Sequence, residues 1–88
     1  MEFTWDARKA RANAKKHGVT FEEASTVFGD PLAISVSDER FDEPRWWTIG
    51  QSEYGKMIVV AHEDDEKRIR IISARSATRY ERKQYEQG

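Results

Sequence analysis

Apolar positions recur along the chain with two different periods, and the change of period divides it into elements. Phe3-Thr4-Trp5 reads as a short extended start, followed by Asp6, whose carboxylate can accept the free amides of a first helical turn. Ala7, Ala10 and Ala14 form a thin stripe at helical spacing, which predicts a helix to about His17, ended by Gly18 in the left-handed conformation. Thr20 and Glu23 spell a capping box. Phe21, Ala24, Val27 and Phe28 then share one face of a second helix, which Gly29-Asp30-Pro31 stops.

From Leu32 onward the period drops to two. Leu32, Ile34 and Val36 alternate with Ala33, Ser35 and Ser37 as in a half-buried strand. After a polar loop, Asp38 to Pro44, three further strands are predicted: Arg45 to Gly50, Met57 to His62 and Arg68 to Arg75. Turn-rich segments join them, Ser52 to Gly55 and Glu63 to Glu66. Met57-Ile58-Val59-Val60-Ala61 is apolar at every position and should lie centrally, covered on both faces. Thr78 and Glu81 form another capping box, opening a terminal helix through about Glu86. The order predicts an α+β domain. Its antiparallel four-stranded sheet, with room for a short extra N-terminal strand, is packed by two N-terminal helices and one C-terminal helix.

Composition adds limits to this picture. A chain of 88 residues holds one modest core, and no repeat or linker divides residues 1–88, so a single domain is expected. The longest apolar run, Met57 to Ala61, is far short of the roughly 20 residues of a membrane helix. The start of the chain has neither a basic flank nor a long apolar stretch, and there are no cysteines. A cytoplasmic protein without disulfides or thiolate metal sites is the expectation, with no membrane partner.

Charge changes the picture more, because a net charge of -1 hides a segregation. Residues 1–20 carry five Lys/Arg against two Asp/Glu, residues 21–66 three against twelve, and residues 67–83 seven against one. If the fold joins the two basic ends, a neutral protein acquires a local cationic surface able to hold phosphates. The acidic middle then faces elsewhere, toward a basic partner.

The candidate chemistry follows from what is missing as well as what is present. His17 and His62 are the only histidines and have no ligand spacing, so no metal site and no cofactor are expected. Glu63-Asp64-Asp65-Glu66 lacks the alternating oxygens and glycine of a calcium loop and reads as a solvated turn. Arg68, Arg70, Ser73, Arg75, Arg79, Arg82, Lys83 and Tyr85 concentrate near the C-terminus. Regular alternation would put Arg68 and Arg70 on one strand face and Ser73 and Arg75 on the other. Arg75 and Arg79 flank a strand-to-helix corner, where guanidinium forks and free helix amides suit an anion. They serve equally well as solvated partners of the acidic segment.

His62 follows Ile58 and Val60 in phase, which fits either a satisfied semi-buried histidine or a proton-transfer group. His17 can cap the first helix through its dipole, and it shares a side with Lys9, Asn13 and Lys16. Trp5 and Tyr85 either stack on bases or fill the core. Trp46 and Trp47 are either partner contacts or sheet residues.

Two stretches resemble a known family. Phe3-x-Trp5-Asp6-x-x-Lys9-x-x-x-Asn13-x-x-Lys16-His17-Gly18-Val19-x-Phe21-Glu22-Glu23-Ala24, continuing to Val27-Phe28-x-Asp30-Pro31, is similar to the opening of the BrnT toxins. Arg70-Ile71-Ile72-Ser73-Ala74-Arg75, Ala77-Thr78-Arg79, Glu81-Arg82 and Tyr85-Glu86 resemble the family's ending, although Ser76 stands where a basic residue is common. The resemblance implies a RelE-like fold and metal-independent endoribonuclease activity that arrests translation and growth. It implies a BrnA-like ribbon-helix-helix antitoxin, two toxins with two antitoxins, that contacts operator DNA and represses the shared operon. Interest then falls on Lys9, Lys16, His17, Arg70, Ser73, Arg75, Arg79 and Tyr85. On this reading Arg75 and Arg79 hold the scissile phosphate and His62, His17 or Tyr85 moves protons, while Lys9, Lys16, Arg70, Ser73 and Arg82 bind RNA. A non-catalytic module that binds antitoxin or nucleic acid is the alternative.

Overall fold

The computed structural model of the chain describes residues 2–40, 42 and 44–88. In chain order it contains β1 (Glu2–Thr4), α1 (Ala7–His17), α2 (Phe21–Thr26) running into a 3-10 turn (Val27–Gly29), and β2 (Ile34–Asp38). There follow β3 (Arg45–Gln51), β4 (Met57–Asp64), β5 (Arg68–Ser76) and α3 (Arg79–Gln87).

The helix ends follow from their capping residues. Asp6 Oδ1 accepts from the amides of Arg8 and Lys9 at 2.8 and 3.0 Å, and Gly18 closes α1 at φ 70° with its N–H on the Ala14 carbonyl. Thr78 and Glu81 complete a reciprocal capping box on α3. The box predicted on α2 is only half made. Thr20 Oγ1 accepts from the Glu23 amide, but the Glu23 carboxylate turns away to accept from Ser52 Oγ at 2.8 Å, tying α2 to the β3–β4 turn.

The sheet is five-stranded and mixed, in the order β1-β5-β4-β3-β2, rather than four-stranded and antiparallel. The difference is β1, which pairs parallel with β5 and sets Phe3 beside Ile69. Three residues give too short a period to predict a partner. Their stabilisation is tertiary, since Phe3 packs on Phe28 with ring centroids 5.4 Å apart.

A second departure repositions the basic residues. In the antiparallel β4–β5 pair, His62 lies opposite Ile71 and Ala61 opposite Ser73, so Ile72 is an extra residue that makes a bulge. Beyond it the phase of β5 is inverted. Arg70, Ser73 and Arg75 therefore lie opposite Glu63, Ala61 and Val59 and share one face, instead of being divided between two.

The core fills the other face. Val19, Phe21, Ala24 and Val27 meet Ile58, Val60, Ile71 and Ala74, all at most 1 % exposed. Each of the larger side chains contributes roughly 1.5–3 kcal/mol by leaving water. The joint between α1 and the sheet is polar. Beyond β1, the edge of β5 has no neighbouring strand among the described residues, and the Asn13 amide substitutes for one. It donates to the Ala74 carbonyl at 2.8 Å and accepts from the Ala74 amide at 3.1 Å, while also donating to the Val19 carbonyl at 2.9 Å. The N-terminal helix is thus seated beside the C-terminal strand.

Candidate functional site

Arg45, Arg70 and Arg75 lie on the sheet face opposite α1 and α2. Helix α3 lies across one half of it, over the row Ile34, Ile49 and Val59, where an added Cβ on Gly88 would come within 2.9 Å of the Ile34 side chain. The other half presents two cross-strand rows, Val36–Trp47–Ala61–Ser73 and Asp38–Arg45 with Glu63–Arg70. Arg75 stands at the border, where β5 turns into α3.

Arg75 is held from three sides. Its Nη1 and Nη2 donate to Glu81 Oε1 and Oε2 at 2.8 and 2.9 Å, and its guanidinium carbon is 5.8 Å from the centre of the Trp47 ring. Nη1 also reaches the Ser76 carbonyl at 3.3 Å. The forked bond to Arg75 draws the Glu81 carboxyl down to about 2, with help from the Thr78 amide; the same bond raises Arg75. Both partners are therefore charged near neutrality. The arginine that sequence reasoning reserved for a phosphate already carries an acidic side chain of its own molecule. About a third of the Arg75 side chain stays in water, so the pair is open to solvent.

Trp47 is fixed from its other end. Its indole N–H donates to Asp38 Oδ2 at 2.7 Å, and Arg40 grips the same carboxylate with Nε and Nη2 at 2.9 and 2.7 Å. Arg40 and then Trp47 hold Asp38 well below the usual carboxylate range. A connected set, Arg40–Asp38–Trp47–Arg75–Glu81, thus crosses from β2 through β3 and β5 to α3. Sequence reasoning missed Asp38 and saw Glu81 only as a helix cap. One signal was available, since Asp38 continues the apolar phase of Ile34 and Val36.

Two of the proton-transfer candidates, His62 and Tyr85, are not brought to Arg75. His62 is 2 % exposed on the core face, with Nε2 2.6 Å from Thr48 Oγ1, Nδ1 2.6 Å from Asp64 Oδ1 and the ring edge-on to Phe28. Ser35 extends this chain through Thr48 at 2.7 Å. The apolar phase that made His62 a candidate is also what buries it. The Tyr85 hydroxyl donates to Asp30 Oδ2 at 2.7 Å, which raises Tyr85 and lowers Asp30. Asp30 also accepts from the Gln51 and Leu32 amides, so Tyr85 fastens α3 to the turn before β2.

The remaining candidates are exposed except Ser73. Arg79 lies in the first turn of α3, Arg82 further along it, and Arg70 on the open half of the sheet, with half-buried Ser73 between Arg70 and Arg75. Lys9, Lys16 and His17 are exposed on α1, on the same helical side as Asn13 and hence toward the β5 edge. The acidic run does not converge. Glu63 faces Arg45 at 3.7 Å, Asp64 holds His62, and Asp65 accepts from the amides of Lys67 and Arg68. Trp5 packs edge-on against Phe21, beside the core. A groove of about 900 Å³ lies on the helical side and includes Phe3, Phe28, Pro31 and Ile69. Its charged residues are Asp30 and Glu53, so it does not suit a polyanion.

A family model described as the ribonuclease toxin, BrnT, of a type II toxin–antitoxin system matches residues 5–81. The chain belongs to the BrnT family. The match spans both the α1 capping region and the β5–α3 corner, so every residue of the Arg75 set lies inside it. Among solved structures, the Brucella abortus ribonuclease toxin BrnT has the same fold, with a TM-score of 0.72 at 24% identity. The alignment covers 90% of this chain and 99% of that one. No curated protein matches the chain. Membership of this toxin family brings an antitoxin partner with it, and no helix among the described residues is long and apolar enough to cross a membrane.

Proposed function

We propose that this BrnT-family chain is an endoribonuclease that cleaves RNA without a metal ion on the open half of the sheet beside α3. The observation that carries the reading is the Arg75 guanidinium, presented at a helix start with a carboxylate seated in its fork. A phosphodiester, though tetrahedral, offers two non-bridging oxygens to the same fork and takes that place when RNA binds. Arg79 and the first-turn amides of α3 add positive field. Arg70 and Ser73 continue the backbone path along β5, with Lys9 and Lys16 at its edge and Arg82 further along α3.

RNA carries its own nucleophile, so the protein must accept the 2′-hydroxyl proton, steady the phosphorane charge and protonate the leaving 5′-oxygen. Arg75 supplies the charge. Glu81, released from Arg75, loses the main cause of its low pKa and becomes the proton acceptor. His17, on the Asn13 side of α1, is the candidate donor. His62 and Tyr85 have structural hydrogen bonds instead.

In this reading a BrnA-like ribbon-helix-helix antitoxin silences the toxin in the cytoplasm as a complex of two toxins and two antitoxins. It alone touches operator DNA, and the complex represses its own operon. A non-catalytic module is the second reading, favoured by the occupied fork of Arg75. Expression with and without the adjacent gene, scored by growth and RNA integrity, together with cleavage by purified protein in EDTA, separates the two. Growth arrest with cut RNA, relieved by the adjacent gene, is the expected result. Normal growth with intact RNA would leave only the binding module.

A further inference from the structure

We propose that Trp47 is a stacking platform for one unpaired base of the bound RNA, set one step from the phosphate at Arg75. The proposal rests on the ribonuclease reading for the identity of the ligand, and on geometry for the rest. Trp47 lies in the row Val36–Trp47–Ala61–Ser73, is half-buried, and has as its cross-strand neighbour Val36, which is 50 % exposed. The neighbouring indole, Trp46, pairs with His62 and so projects toward the opposite, core side. Only one of the two adjacent tryptophans is therefore offered beside Arg75.

The ring is rigid before any ligand arrives. Asp38 takes its N–H at 2.7 Å, Arg40 fixes Asp38, and the Arg75 guanidinium stands 5.8 Å from the ring centre. An aromatic surface already locked in place loses little entropy when a base settles on it. The guanidinium lies over the ring, so a base takes that place as Arg75 turns from the ring to the phosphate. Because the only indole donor is spent on Asp38, Trp47 cannot read base edges by hydrogen bonding. Recognition by stacking alone is tolerant of sequence and demands a base that is out of a duplex. The substrate class is thus single-stranded RNA with weak base preference at this position.

The test compares wild type, Trp47→Leu, Trp47→Phe and Trp46→Leu on a single-stranded RNA oligonucleotide and on a set in which one base at a time is removed. Trp47→Leu should raise KM between about five- and a hundredfold, the range of one base–aromatic stack, with kcat within a few-fold. Trp47→Phe should recover most of the loss, and Trp46→Leu should leave KM unchanged. One abasic position should reproduce the penalty in wild type and add nothing to Trp47→Leu. Equal KM for wild type and folded Trp47→Leu, or abasic penalties of equal size in both, would overturn the proposal. Should the wild type cut no RNA, the ribonuclease reading fails separately. Binding of an uncleavable 2′-deoxy strand to the same variants then still decides whether Trp47 stacks a base.

Discussion

The two faces of one sheet use polar side chains in opposite ways. Toward α1 and α2, Asn13, Thr48 and His62 are each at most 7 % exposed and fully engaged, and their partners are fixed parts of the fold. Removing one leaves a buried group without a partner, at about 1–3 kcal/mol each. On the opposite face, Arg75 and Glu81 satisfy each other while remaining in contact with water. Such a pair adds little stability but can exchange a carboxylate for a phosphate. The same inventory of residues is therefore structural on one side and exchangeable on the other. A bulge at Ile72 decides which side Ser73 and Arg75 join.

The sharpest way to break this contrast is Arg75→Lys. It keeps the charge and loses the fork, so RNA cleavage should fall roughly a hundredfold, as for one lost charge-stabilising donor. Urea denaturation should meanwhile move by less than about 1 kcal/mol. Next in size, Asn13→Ala should cost about 3 kcal/mol in the same assay, because both Ala74 backbone groups and the Val19 carbonyl lose their partner. A loss near zero would mean that water repairs the β5 edge.

A smaller effect separates the faces by pH. Arg75 draws the Glu81 carboxyl from its ordinary 4.5 down to about 2 in the folded protein, so its ion pair stabilises fully above about 4.5 and is lost as pH falls toward 2. With Arg75 a third exposed, the effect is discounted to about 1 kcal/mol. Glu81→Gln should thus be less stable than wild type at pH 7, with the gap closing by pH 2 in thermal melts. An unchanged gap would assign the loss to the Thr78 cap instead. Smallest of all, Arg68→Ala should shift stability by at most about 0.5 kcal/mol, since Arg68 and Glu2 are mostly exposed and 3.8 Å apart.

These expectations also mark what could be read without coordinates. Both outer caps, Asp6 and Thr78, and the central position of β4 follow from local spacing and were legible. The role of β1 was not, because pairing over three residues depends on Phe3 finding Phe28 across the core. Nor could alternation reveal the bulge, since Ile71 and Ile72 are equally apolar and only pairing with Ala61 and His62 shows which is extra. Arg75 and Arg79 were visible as a corner. Asp38, Trp47 and Glu81 joined them only through contacts between residues up to 28 positions apart, which no local pattern contains.

The central claim is that chemistry belongs to the Arg75 face and architecture to the His62 face. Cleavage of a single-stranded RNA in EDTA by wild type, Arg75→Ala and His62→Gln, each corrected for the folded fraction, tests it most directly. Activity should collapse in Arg75→Ala and stay within a few-fold of wild type in folded His62→Gln. Full activity in Arg75→Ala, or a dead but well-folded His62→Gln, would contradict the account.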